Sequence, residues 1–461
     1  MQRHRFRGFG LIVSCVVAFA TAAAAIDDPA ARTQVTTFDN GLVAVTLEDD
    51  ATPVVSFQIW VQVGSRDESE YTGLAHLFEH MMFKGSKHIA PEEHARLVNA
   101  RGGVINAFTS RDFTVYFEDV TRESLPLVID LEHERFSNLR VTEDMLKSER
   151  QVVLEERRYR TEDKPVGRAY EALLALLWQA HPYRWPVIGW RSDVEKATVE
   201  VCQDFFDRFY APNNLVIAVA GDFDTEATLA HLERTFGQMP NPGPILRNPT
   251  EEPEQSGERR STVHFDLRSP VLAAAWHAPP TGHEDGEALD VLSQILSDGR
   301  SSRLYKSLVH EAEIALSASG GYWEMIDAGA FLALAGVRPG EDIDEVERLF
   351  FAEIDKLRDA PVTEAELAKA KRQLEVSLVN GLATSHALSS RIGRDYATFG
   401  RIRPLDERLE RIRSVTAEDV QRVARTYLVK AKRNVVHIVP PPEEAAEAPA
   451  PANARDNGEG A

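Results

Sequence analysis

Apolar and polar residues alternate from Gln34 to Val63 and break at Asn40-Gly41, the pattern of a β-hairpin. The period lengthens to that of a helix from Thr72 to Lys84, closed by Gly85, and from Pro91 to Arg101, closed by Gly102-Gly103. Ile105 to Val120 is rich in β-branched and aromatic residues and reads as strand. Helical stretches follow at Leu125 to Leu139, Thr142 to about Tyr159, Val166 to Ala180 and Val194 to Tyr210. Asn214 to Ala220 is an unbroken apolar strand, and a short amphipathic helix then runs to Phe236. Strands and helices come in blocks, so the expected class is α+β, with helices on one face of a mostly antiparallel sheet.

From Gly237 to Glu258 the pattern gives way to Pro, Asn, Glu and Gly, a linker composition. The halves on either side repeat each other. Val141-Thr142-Glu143 matches Val362-Thr363-Glu364, and Arg150-Gln151 matches Arg372-Gln373, an offset of about 221 residues. The expectation is two homologous domains, each a mostly antiparallel sheet covered by helices. They span 34–238 and 261–440, joined by a linker at 239–260. The Ala/Glu/Pro tail at 441–461 cannot bury a core.

The N-terminus has a different logic. Arg3, Arg5 and Arg7 precede an apolar run from Phe9 to Ala20 and small residues at Ala23-Ala24-Ala25. Residues 1–25 therefore read as a cleaved secretory signal peptide, which places the mature chain in the periplasm with no membrane span. Cleavage would take the formal charge from -20 to -23 and leave Cys202 as the lone cysteine, so no internal disulfide is expected. Such acidity excludes nucleic acid as a partner, and favours a cationic peptide or basic partner.

The candidate chemistry lies in the first helical stretch, at His76-Leu77-Phe78-Glu79-His80. Positions i, i+3 and i+4 share one helical face, so both imidazoles and the carboxylate point into one space. Two neutral imidazoles one turn apart suit Zn²⁺, and the carboxylate between them can accept a proton from water. The same spacing also suits two surface histidines on an amphipathic helix. A carboxylate from elsewhere should complete a metal site. The stretch Thr142 to Tyr159 offers two, Glu149 and Glu156, on a stripe with Met145, Leu146, Val152, Val153 and Tyr159. Carboxylates on a core-facing stripe are costly unless paired, hydrogen-bonded or bound to metal.

The order H-x-x-E-H is that of the inverzincins. Together with Glu149 to Glu156, the chain resembles the pitrilysin/insulinase-type zinc peptidases, which include the mitochondrial processing peptidases and bacterial half-length relatives. Asn106-Ala107-Phe108-Thr109-Ser110, His181-Pro182-Tyr183 with Gly189, and Asn214 to Phe223 extend the likeness over roughly Thr36 to Pro440. The resemblance implies a zinc metalloendopeptidase in which His76, His80 and Glu156 bind one Zn²⁺ per chain. It makes Glu79 the general base and Glu149 an acid that orients a ligand. It also makes Asn106, Ala107 and Phe108 part of the strand edge on which peptide substrate is laid.

The second half lacks these groups. The repeat places Ala370 and Ser377 opposite Glu149 and Glu156, and Asp290, Ser293 and Gln294 opposite the His/Glu/His set. The family's substrate-binding Arg and Tyr, seven residues apart, are replaced here by Val309 and Leu316, with His310 as a local substitute. The resemblance therefore implies a related sister subunit that supplies them in a heterodimer, with a homodimer as the alternative. Two other readings stay open: a non-catalytic assembly subunit, and a maturase dedicated to one precursor peptide.

Overall fold

The computed structural model describes residues 28–442; the expected export segment and nearly all of the expected tail lie outside the described residues. Sheet 1 contains β1 (Gln34–Thr37), β2 (Val43–Glu48), β3 (Val55–Val61), β4 (Val104–Thr109), β5 (Thr114–Val120) and β6 (Leu215–Gly221). Their spatial order is β1-β2-β6-β3-β5-β4. Sheet 2 contains β7 (Arg259–His264), β8 (Val271–Ala278), β9 (Ala315–Trp323), β10 (Gly329–Val337) and β11 (Asn434–Val439), in the order β7-β11-β8-β10-β9. One pair in each sheet is parallel, β2 with β6 and β7 with β11, and the rest are antiparallel. The class is α+β, as the blocks imply.

Sequence explains the strand positions. β3 and β6 are buried at every residue and occupy the middle of sheet 1. β4 mixes exposed and buried positions and lies at the edge, with one side of its backbone unpaired by any described strand.

Six helices position the features below: α1 (Leu74–Met81), α2 (Glu143–Arg157), α3 (Pro165–Leu177), α4 (Gly286–Ser297), α5 (Glu364–Asn380) and α6 (Ser385–Phe399). The internal repeat is visible in how they pack, α1 on α2 and α4 on α5. Thr142 and Thr363 cap α2 and α5 in the same way, each hydroxyl accepting from the amide three residues on.

Helices were expected on one face of each sheet. Both faces are in fact covered, and the second cover is exchanged between the halves. Helix α3 of the first half lies on β7, β8 and β11 of sheet 2, while α6 of the second half lies on β2, β3 and β6 of sheet 1. Leu173, Leu174 and Leu177 share a core with Ala273, Ala275 and Val436. Leu388 and Ile392 share another with Trp60, Val216 and Ala218. The cause is that the central strands are apolar on both faces, and each bare face would forfeit about 25 cal/mol per Å².

Residues 239–258 form no helix or strand, yet they are tied down. Arg247 reaches Asp67 at 2.7 Å and the Asn214 side chain at 2.8 Å. The Glu252 carboxylate accepts from the amides of Gln179, Ala180 and His181 just beyond α3. The stretch expected as one helix at 194–210 is two, Arg191–Lys196 and Val199–Phe209, because the Thr198 hydroxyl accepts from the Val201 amide and starts a new helix.

Candidate active site

Helix α1 presents two unlike faces. Leu74, Leu77, Phe78 and Met81 enter the core, where Phe78 stacks 5.5 Å from Phe205 and 5.8 Å from Phe206. His76, Glu79 and His80 are left on the cleft side. The start of α1 is set by backbone rather than by a side-chain cap. Gly73 has φ +88°, and a Cβ there would meet the Gly189 Cα at 2.8 Å. The buried Glu68 carboxylate accepts from the amides of Gly73 and Ala75 at 2.8 and 2.9 Å, filling two of the four free donors of the first turn. Gly189 thus has a packing reason to belong to the motif set.

Helix α2 brings the carboxylates. Glu156 Oε2 lies 3.7 Å from His76 Nε2 and 3.3 Å from His80 Nε2. One donor atom from each of the three residues lies within 4.8 Å of the others. A tetrahedral ion with bonds of about 2.0–2.1 Å sets its ligands about 3.3 Å apart. Two imidazoles and a carboxylate at this spacing therefore fit a zinc ion. His76 is 8% exposed, and its Nδ1 is buried without a hydrogen-bond partner.

Glu149 is 2% exposed and stands behind His80, with Oε2 3.6 Å from the His80 Nδ1. Its other oxygen lies 3.4 Å from Lys84 Nζ. Burial works to raise this carboxyl, but His80 and Lys84 outweigh it and hold it below its ordinary value. Burial drives the His76 imidazole down to about 4, so it is a neutral donor. Burial also opposes charge on His80, but Glu149 and Glu156 prevail and raise it to about 9. The hydrogen bond from His80, more than anything else, keeps Glu156 ionised.

Burial raises the Glu79 carboxyl from its ordinary value. Its Oε2 accepts a 2.6 Å hydrogen bond from the Thr109 hydroxyl at the end of β4. Thr109 is a site residue to which the sequence reading gave no role. Strand alternation could have found it, since Ala107 and Thr109 share the face of β4 turned toward α1. Arg160 was missed as well; its guanidinium lies 2.6 Å from Glu156 Oε1, carried by a wide helical turn at Arg158–Glu162.

Two members of the expected α2 stripe are not on it. Val152 is 46% exposed and Tyr159 is 64% exposed. The buried line runs instead through Leu146, Glu149, Val153 and Arg157, and the wide turn swings Tyr159 outward. Asn106 and Phe108 lie on the outer face of β4, Phe108 against Trp60 at 6.2 Å, and Ala107 is buried beneath. No hydrogen bond among the described residues joins these three to the His/Glu cluster; the Thr109–Glu79 bond joins their strand to it.

The corresponding place in the second half has been rebuilt. The Ser293 hydroxyl donates to the Leu289 carbonyl and accepts from the Tyr322 amide, fastening α4 onto edge strand β9. Ala370 is buried and brings no carboxylate. His310 is exposed, as is Leu316. No helix among the described residues is long and apolar enough to cross a membrane.

The family described as Insulinase (Peptidase family M16) matches residues 43–190, and Peptidase M16 inactive domain matches residues 196–374. A Helicobacter pylori protein named zinc protease PqqE is 30% identical over 413 residues, 88% of this chain and 92% of the relative. An uncharacterised zinc protease of Mycobacterium tuberculosis is 34% identical over 409 residues, 87% of this chain and 92% of the relative. The crystal structure of a protease from Helicobacter pylori superposes with TM-score 0.86 at 30% identity, covering 88% of this chain and 99% of that one. A chain of complex III2 from Candida albicans shares the fold at TM-score 0.74 and 20% identity, covering 88% of this chain and 95% of that one.

Proposed function

Since the chain belongs to the insulinase family (peptidase family M16), we propose that it is a zinc-dependent endopeptidase. The observation that carries this reading is the convergence of His76, His80 and Glu156 beside Glu79 and its Thr109 hydrogen bond. His76, His80 and Glu156 would hold one zinc ion. Zinc bound there would supply a Lewis acid that polarises a peptide carbonyl and makes water more acidic. Glu79 takes the proton. Thr109 occupies one of its oxygens, so the other is free to accept from water, and burial places its pKa nearer to neutrality than that of an exposed glutamate. Glu149 holds His80 from behind, fixing which ring nitrogen faces the cleft.

The substrate is a short or unfolded peptide. It is laid as an added strand on the free edge of β4, over Asn106, Ala107 and Phe108, where main-chain hydrogen bonds supply most of the recognition. Val309 and Leu316 carry no donor for the substrate carbonyl, which favours a sister subunit that brings an Arg and a Tyr; a second copy of this chain would lack them too. The basic and apolar pattern of the first 25 residues supports a periplasmic site of action.

The test is peptide cleavage by the purified chain, alone and with a sister subunit, with chelator and zinc add-back. Chelation should abolish activity and zinc restore it, while Glu79→Gln should lose about 10²–10⁴-fold in kcat. A chain that retains no zinc, or an E79Q form as fast as the parent, refutes the reading. A second reading, an assembly subunit without catalysis, is favoured only by the inactive-domain match over residues 196–374, and zinc-dependent cleavage would dispose of it.

A further inference from the structure

A cavity of about 560 Å³ opens between the halves, between β4 and helix α6. Phe108 and Trp60 form one wall, and Trp323 with Glu324 forms another. Five arginines, Arg111, Arg391, Arg394, Arg403 and Arg408, line the cavity as well, in a chain whose overall charge is -20.

Three of these cations are spoken for: Arg111 donates to the Tyr170 hydroxyl at 3.2 Å and lies over the Trp323 ring. Arg403 pairs with Asp395 at 3.3 Å and lies over the Phe399 ring, and Arg408 lies 3.5 Å from Asp290. The other two are not. Arg391 donates only to the Arg403 carbonyl, at 3.1 Å, and its Nε is buried without a partner. Burial depresses its pKa, and repulsion from Arg408 and Arg403 works against the help from Asp395 and Asp28. Arg394, one turn along the same face of α6, makes no hydrogen bond or ion pair among the described residues. Of the three lining carboxylates, Asp112 is held by Arg66 at 3.2 Å and Asp395 by Arg403, which leaves Glu324 to face Arg391 and Arg394.

The cavity also lies where a bound peptide would reach it. Along β4, Ala107 and Thr109 face α1 and Glu79, whereas Asn106 and Phe108 face α6. A strand added to β4 alternates in the same way, so every second side chain points toward the arginines.

We propose that this cavity is a carboxylate subsite, in which an acidic side chain or the terminal carboxylate of the peptide binds between Arg391 and Arg394. The inference rests on the reading of β4 as the substrate edge. Guanidinium groups bind a carboxylate through paired N–H donors, and the flanking aromatic rings limit competition from water. The local charge thus reverses the preference for cationic peptides that the whole-chain charge favours.

The test uses the full zinc-loaded chain, with its sister subunit where cleavage needs one. Glutamate is stepped along an otherwise neutral peptide and compared with glutamine at each position; a second pair compares a free C-terminus with its amide. The acidic member should show about tenfold higher kcat/KM, in the first series at alternate positions only, and the series that responds identifies the source of the carboxylate. Exposed Arg394→Gln should cut the discrimination to below about twofold, and added salt should erode it. Binding of the same peptides to Glu79→Gln, followed by the fluorescence of Trp60 and Trp323, separates two failures. Cleavage without charge discrimination overturns the subsite and leaves the peptidase reading intact. Charge-selective binding that Arg394→Gln abolishes, with no cleavage in the parent, supports the subsite and overturns the peptidase reading.

Discussion

Replacing Gly393 with alanine drives a methyl group into the indole of Trp60. A Cβ built on Gly393 lies 2.3 Å from Trp60 Nε1 and 2.7 Å from its Cδ1, well inside contact distance. The indole has nowhere to go. It is 2% exposed, with Phe113 at 5.5 Å and Phe108 at 6.2 Å. Its Nε1 donates to Gln58, whose amide donates in turn to the His386 carbonyl and the Ser390 hydroxyl on α6. Overpacking of this kind costs about 1–3 kcal/mol, and a clash with a pinned ring belongs at the upper end. Alanine returns up to about 1 kcal/mol through its better helix propensity. The net cost is about 2 kcal/mol, or about 2 °C in Tm for a chain of this size. Thermal unfolding of G393A against the parent measures it. Gly257→Ala, where nothing lies within 4 Å of the added carbon, is the control and should not move Tm. A G393A protein as stable as G257A would show that α6 does not need this close approach to sheet 1.

Three further perturbations probe the site and the frame. Thr109→Val removes the 2.6 Å bond to Glu79 and should lower kcat about 10- to 100-fold with KM nearly unchanged, while Thr109→Ser keeps most activity; a kcat equal to the parent's removes Thr109 from the mechanism. Glu149→Gln weakens the hold on His80 and should reduce zinc affinity about 10- to 100-fold in a chelator competition, and an unchanged competition curve would contradict it. Glu347 should show its effect in pH. Burial opposes its charge, but His437 at 2.6 Å and Arg260 outweigh it and hold its pKa at about 2. A depressed carboxyl contributes stability above its unfolded pKa of about 4.5 and loses it as pH falls toward 2. Glu347→Gln should therefore cost about 1–2 kcal/mol in urea unfolding at pH 7, with the deficit shrinking by pH 3; a deficit that grows in acid would reverse the sign and the argument.

The candidate metal-binding cluster was legible because its parts are local. His76, Glu79 and His80 share one turn of one helix, and Glu149 and Glu156 share one face of another, so helical period alone brings each set together. The duplication was legible because Thr142 and Thr363 start equivalent helices. What the sequence hid is what depends on contacts far apart in the chain. The period of α6 shows an apolar stripe but not which sheet it covers, and its cover is β2, β3 and β6, more than 160 residues away. Thr109 meets Glu79 only after β4 has been placed beside α1. The arginines on and after α6 meet Trp60, Phe108 and Trp323 only once the halves have closed around them.

The exchange of α3 and α6 has a mechanical consequence. Each half holds the other's sheet with a buried helix, so the chain cannot gape along its midline without exposing two apolar cores. Under the peptidase reading proposed above, a peptide would therefore enter along the free rim of β4 rather than through the seam between the halves. The same clasp makes each half a poor candidate for separate expression, because a solitary half would present one sheet face and one helix stripe bare to water.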